Sequence, residues 1–247
     1  RAPGLATKSP LFDGEHRRAA RASPRPRELC MFVRRDFLAL AAAGAAATFA
    51  GPALAQAQKA PPKDAVSLVE LMAEPPTKDL WQGKADAPVT IVEYASLTCG
   101  HCAHFHESTW PTLKSQYIET GKVRFVLREF PLDPIAAAGS MLARCAGDDK
   151  RQSVVDLLFA NQAKWLVDKP VDALRDLLKQ AGFTQESFDA CLKNQTLYDA
   201  VIKTREAASE KFGINSTPTF FINGKTYRGA LTVAELQKAL EPLLAGK

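Results

Sequence analysis

The chain has little with which to enter a membrane. Its longest weakly apolar stretch, the Ala-rich run from Phe37 to Ala50, is about 14 residues, whereas a spanning helix needs roughly 20. It also lacks a basic patch interleaved with aromatics, so nothing points to nucleic acid as a partner. The formal net charge of +5 belongs to residues 1–55, which hold 9 of the 32 Lys and Arg and 4 of the 27 Asp and Glu, leaving 23 of each beyond. Cysteine is sparse, five in 247 residues. The one CxxC, Cys99 to Cys102, has no second CxxC and no HxxxH after it, which argues against a zinc site of the usual spacing. Covalent c-type haem would require His directly after the pair, and Ala103 stands there.

What is present divides near residue 55. Residues 1–30 are rich in Arg, Pro and Ala without apolar periodicity and precede the first Met, Met31. They are expected to be a disordered upstream extension. From there Arg34-Arg35-Asp36-Phe37-Leu38, the Ala-rich run and Ala53-Leu54-Ala55 follow the order basic, apolar, A-x-A of an export signal. The paired arginines resemble a twin-arginine signal. Residues 31–55 are therefore expected to be cleaved after Ala55, releasing a soluble product into the periplasm. The remaining 192 residues can bury a core unaided. They keep four cysteines, Cys99, Cys102, Cys145 and Cys191, and an even count in an oxidising compartment suggests two pairs.

The CxxC follows an apolar run, Val89 to Ala95, that reads as a buried central strand. A strand handing over to a helix at Cys99 would place that thiol among the unpaired amides of the helix start, where negative charge is favoured. Cys99 is expected to be the acidic nucleophile and Cys102, one turn on, the resolving thiol. A protonated His101 would add positive charge. Glu93 interrupts the strand. A buried carboxylate is costly unless paired or protonated, so either its pKa is raised and it exchanges a proton with Cys102, or it lies near a strand end and reaches water.

The flanking elements are legible in outline. Residues 56–76 form an N-terminal tail with a short helix over Val66 to Met72, and Leu80 to Gln82 an edge strand. The CGHC helix is expected to run to Glu119 with a kink at Pro111, and Val123 to Leu127 is a second strand. Helices follow from Pro134 to Phe212, with Arg151 to Val167 as one of them. Cys145 and Cys191 lie in two of these helices, and their pairing is expected, two buried free thiols being the alternative. Thr219 to Ile222, Asn223-Gly224 and Lys225 to Arg228 make a hairpin. Thr232 and Glu235 form a capping box for the last helix.

Cys99-Gly100-His101-Cys102 after a buried strand, and Ser216-Thr217-Pro218-Thr219 before the hairpin, resemble a thioredoxin fold. With about 80 mostly helical residues between its halves, the chain resembles the DsbA family of periplasmic thiol-disulfide oxidoreductases. The resemblance implies an α/β, thioredoxin-like fold over 77–132 and 214–247, with an all-helical insertion over 133–213. It implies an exposed nucleophile at Cys99, a buried partner at Cys102, a buried acid at Glu93 and a cis-proline at Pro218 with Thr217 before it. Such a cis bond would leave the Thr217 backbone free to pair with an extended substrate. No cofactor and no metal is expected. Expected partners are reduced or misoxidised exported proteins and a membrane redox partner that resets the pair.

Gly100 stands where the best-known members have Pro, and Gly-His between the thiols is typical of disulfide isomerases. A fairly oxidising couple is expected, short of the strongest. Two other functions stay open. One is an isomerase or reductase of the same fold, although residues 56–80 are too short for a separate dimerisation domain. The other is a copper- or zinc-binding module using Cys99, Cys102 and His101, His104 or His106.

Overall fold

The structure, a computed structural model, describes residues 63–245. The upstream extension, the export signal and the start of the tail lie outside these residues. In chain order the elements are α1 (Leu68–Met72), β1 (Val89–Ala95), α2 (Gly100–Ser108), α3 (Trp110–Leu113), β2 (Val123–Glu129), α4 (Pro134–Cys145), α5 (Asp148–Ala160), α6 (Gln162–Trp165), α7 (Pro170–Leu178), α8 (Gln185–Leu192), α9 (Gln195–Phe212), β3 (Thr219–Ile222), β4 (Lys225–Arg228) and α10 (Val233–Leu244). The sheet order is β2-β1-β3-β4, with β1 parallel to β2 and antiparallel to β3. A helical connection is what a parallel pair requires, and β1-α2-α3-β2 supplies it.

All seven residues of β1 are buried, because helices cover both faces of the strand. On one face Val89 and Ile91 pack with Phe105, Trp110, Leu113, Phe125, Phe220 and Leu240. On the other, Val92 and Tyr94 pack with Phe212, Phe221 and Leu71. Alternation along the strand therefore turns Glu93 toward the α2 face. The third apolar cluster belongs to the helical insertion, and it includes Cys99 and Cys102 with Leu97, Met141, Leu158 and Trp165. The Cys99–Cys102 segment thus lies at the seam between sheet and insertion.

Several sequence expectations change in detail. The helix after the CGHC segment breaks at Thr109 (φ −112°) rather than kinking at Pro111. The Thr109 hydroxyl donates to the Leu231 carbonyl at 2.7 Å, and Pro111 falls in the first turn of α3, where its missing N–H costs nothing. The element expected over Arg151 to Val167 begins at Asp148 and ends at Asn161, whose side-chain amide donates to the Leu157 carbonyl at 2.8 Å. Leu80 to Gln82 is not a strand. Only Gln82 pairs, exchanging both backbone bonds with Phe125 at 2.8 and 2.9 Å. Val66 joins the hairpin instead of α1, its N–H donating to the Gly224 carbonyl at 2.8 Å. At that hairpin Asn223 (φ 45°) and Gly224 (φ 88°) both take the left-handed backbone of a two-residue turn.

Polar contacts attach the insertion to the sheet. Glu129, ending β2, accepts from Arg144 of α4 at 2.6 and 2.7 Å and from the Thr77 hydroxyl at 3.2 Å. Thr77 in turn meets the Thr204 hydroxyl of α9 at 2.9 Å. Within the insertion, a disulfide joins Cys145 at the end of α4 to Cys191 in α8, their Cα atoms 6.1 Å apart. Because it closes a span of 46 residues, the Cys145→Ala/Cys191→Ala double variant should lose about 2–4 kcal/mol of stability. Urea unfolding monitored by circular dichroism, compared with the parent protein, measures the loss.

Candidate active site

Cys99 is the N-cap of α2, held where β1 gives way to the helix by a short turn over Ser96 to Thr98. The Cys99 N–H donates to the Ser96 carbonyl at 3.0 Å. The Thr98 hydroxyl donates to Asp133 at 2.5 Å, and the other Asp133 oxygen caps α4 by accepting from the Ala136 amide at 2.8 Å. From α6, the Gln162 side chain donates to the carbonyls of Leu97 at 2.8 Å and Cys99 at 3.1 Å. Backbone carbonyls turned out of regular structure need such donors when they are covered. The insertion thereby fixes the loop that carries Cys99.

Across the site runs the turn before β3, where the Thr217–Pro218 peptide is cis. The Thr217 carbonyl lies 3.3 Å from the Cys99 sulfur and accepts from its thiol when protonated. Both cysteines are free thiols here. Cys99 is 9% exposed and Cys102 fully buried. Cys99 is thus the more accessible sulfur but is not open to solvent as the resemblance implied, because the Thr217 turn lies over it.

The two sulfurs differ sharply in acidity. Cys99 is lowered to about 5, chiefly because the Cys102 thiol donates to its sulfur; burial opposes this, and the Thr217 hydroxyl and the amides of Cys102 and His101 assist. The side chain makes no cap bond of standard geometry, so the amides act on the sulfur mainly as dipoles. The Thr217 hydroxyl is buried without a partner and is free to turn toward the anion when the thiol proton leaves. The His101 ring is exposed, and what that residue supplies to the sulfur is its amide. Burial pushes Cys102 far above the usual thiol range, helped by its bond to Cys99 and by the charge of Glu93.

Glu93 is fully buried and does not reach water. Its Oε2 lies 3.0 Å from His106 Nε2, so the acid is paired within the protein. The sequence pattern does not signal this partner, since His106 reads there as a solvated residue on the helix flank or a candidate metal ligand, whereas it is buried. His101 and His104 are exposed and face elsewhere. Among the described residues no group of three or more His, Cys, Asp or Glu side chains is arranged to hold a metal ion. Gln162 was also missed. Its only sequence signal is its place just after a helix break, 63 residues from Cys99.

A family model described as thioredoxin matches residues 76–242. Alpha-DsbA1 of Wolbachia pipientis superposes with a TM-score of 0.67 at 27% identity, over 72% of this chain and 96% of that one. BdbD of Bacillus subtilis superposes with a TM-score of 0.56 at 27% identity, over 74% of this chain and all of its own. A Rickettsia bellii protein, provisionally named a protein-disulfide oxidoreductase, is 33% identical over 168 residues, 66% of this chain. The chain spans 65% of that relative's length.

The acidity of Cys99 has a measurable sign. Alkylation of the reduced protein by iodoacetamide should rise with a midpoint near pH 5 and level off by neutrality, as followed by mass spectrometry. Since an unfolded thiol titrates at about 8.5, the unfolded state binds more protons between these values. The Cys99 contribution to stability of the reduced form is therefore full above about pH 8.5 and lost as pH falls through about 5. Urea midpoints of reduced and oxidised protein compared across this range should show it.

Proposed function

For a chain that belongs to the thioredoxin family, and within it to the DsbA-like thiol-disulfide oxidoreductases, we propose that the Cys99–Cys102 pair introduces or exchanges disulfides in exported proteins in the periplasm. The observation that carries this reading is the split between the two sulfurs, one lowered to about 5 and its neighbour raised well above the thiol range. A sulfur that remains an anion at neutral pH is both a good leaving group and a stabilised product. A disulfide whose reduction yields such an anion is an oxidant.

The steps follow from that asymmetry. A substrate thiolate attacks the Cys99 sulfur of the disulfide. The new substrate–Cys99 bond forms as the Cys99–Cys102 bond breaks, and Cys102 takes the electron pair and a proton. A second substrate thiolate then attacks the substrate sulfur of the mixed disulfide and expels Cys99 as its stable thiolate. The substrate has lost two electrons and the protein pair has gained them. Thr217 and Pro218, beside Cys99, are the positions where an extended substrate backbone would pair. Return to the disulfide is assigned to a membrane redox partner. The domain limits 77–132 with 214–247, around the insertion 133–213, belong to this same reading.

A second reading, isomerase or reductase, is favoured by Gly100, which stands between the thiols with nothing within 4 Å of where a Cβ would lie. Trapping the cysteines by alkylation in the native compartment separates the two, since an oxidase is found mainly as the disulfide and an isomerase mainly as the dithiol. For activity itself, the oxidised protein should pass one disulfide per molecule to a reduced, unfolded two-cysteine protein. Cys99→Ala should abolish the transfer. Failure of intact oxidised protein to transfer any disulfide would overturn the assignment.

A further inference from the structure

Cys102 has no solvent exposure, yet each turnover proposed above delivers a proton to it and each reset removes one. This inference rests on that function. We propose that His106, acting through Glu93, is the proton relay for Cys102, with Asp156 and an adjoining surface groove as its outlet.

From Glu93 outward, His106 and Asp156 follow in contact order to the surface. Glu93 lies on the α2-facing side of β1, where its charge raises the Cys102 thiol, and its Oε1 is buried without a hydrogen-bond partner. Its Oε2 meets His106 Nε2 at 3.0 Å. The other ring nitrogen, Nδ1, is also buried without a hydrogen bond and lies 4.0 Å from Asp156 Oδ1. One water or a small side-chain turn spans that gap. The Asp156 side chain is 36% exposed. It is held by Gln152, whose amide donates to it at 2.8 Å. His106, Asp156, Glu107, Trp110 and Phe159 line a groove of about 300 Å³ that opens to solvent beside the ring.

An imidazole suits this position because one nitrogen can accept a proton while the other releases one. Phe159 stacks on the ring at 4.3 Å and 21°, and Trp110 lies 5.5 Å away, so the ring is held in line with both acids. The titratable groups facing His106 are Glu93 from β1, Asp156 from α5 and Glu107 from its own helix, and no Lys or Arg lines the groove. A purely structural pairing would leave two buried polar atoms, Glu93 Oε1 and His106 Nδ1, permanently unsatisfied, which costs stability. A relay uses both. The hydrogen bond His106 makes is to Glu93, through which its effect passes.

The reaction balances without a cofactor. In the forward direction Cys102 leaves as thiolate and takes a proton from Glu93. Glu93 is reprotonated from His106 Nε2, and His106 recovers a proton at Nδ1 from Asp156 or groove water. Resetting the disulfide runs the same line in reverse. The substrate dithiol is the reductant forward, and the redox partner is the oxidant in reverse.

Single-turnover reduction of the Cys99–Cys102 disulfide by dithiothreitol, measured from pH 5 to 9, tests the relay. His106→Gln should slow it about tenfold and change the pH profile, and Asp156→Asn should slow it by a smaller factor. Imidazole added to His106→Ala should restore part of the rate through the groove. The pH dependence of Cys99 alkylation should stay as in the parent, showing that the nucleophile is intact. A parent-like profile in folded His106→Gln, or no imidazole rescue of folded His106→Ala, overturns the relay. Should both His106 variants fail to fold, a parent-like profile in Asp156→Asn overturns it. A parent disulfide that dithiothreitol reduces normally but that never passes to reduced proteins would instead overturn the function proposed above.

Discussion

A negative charge on a nearly buried sulfur must be met by donors from several directions, and the arrangement around Cys99 answers that demand. The Cys102 thiol donates from one helical turn away, the α2 amides offer their dipoles, and Thr217 approaches from the far side of the site. These donors come from separate stretches of chain. Only a fold that brings the end of β1 and the turn before β3 to the same edge of the sheet can assemble them, and the β2-β1-β3-β4 order does so by making β1 and β3 neighbours. The acidity of one atom is thus a property of the sheet's topology.

The insertion holds this arrangement in place. Asp133 at the start of the helical segment and Gln162 from within it reach the turn that carries Cys99, while the Glu129–Arg144 pair and the Thr77–Thr204 contact attach that segment to the sheet. Buried ion pairs of this kind contribute little net stability once desolvation is counted. Their value here is geometric, since a bidentate guanidinium fixes direction as well as distance.

Much of the chemistry was legible because it is written locally. Four consecutive positions, Cys99 to Cys102, combine with an apolar run ahead of them to mark a thiol at a helix start. Asn223-Gly224 and Thr232 with Glu235 are likewise decided within a few residues, and the chain folds there as those residues dictate. What could not be read depends on partners distant in sequence. His106 meets Glu93 because helix and strand pack face to face, and Gln162 reaches Cys99 only because the chain turns at Asn161. Pro111 misled for a related reason. It marks a helix start as readily as a kink, and the Thr109 contact with Leu231, 122 residues away, decides between them.

Both margins of the sheet are partly covered by the protein's own chain. Beside β2, Gln82 exchanges backbone bonds with Phe125. Beside β4, the carbonyls of Lys63 and Asp64 accept from Arg228 and the Thr226 amide, and Ala65 bridges to Lys225. A four-stranded sheet with bare margins would offer a template on which a neighbouring chain could add itself as another strand. That matters for a protein proposed to work among unfolded polypeptides, whose unpaired backbones seek such templates. With part of each flank already paired, less of the sheet is left for such a chain to add to.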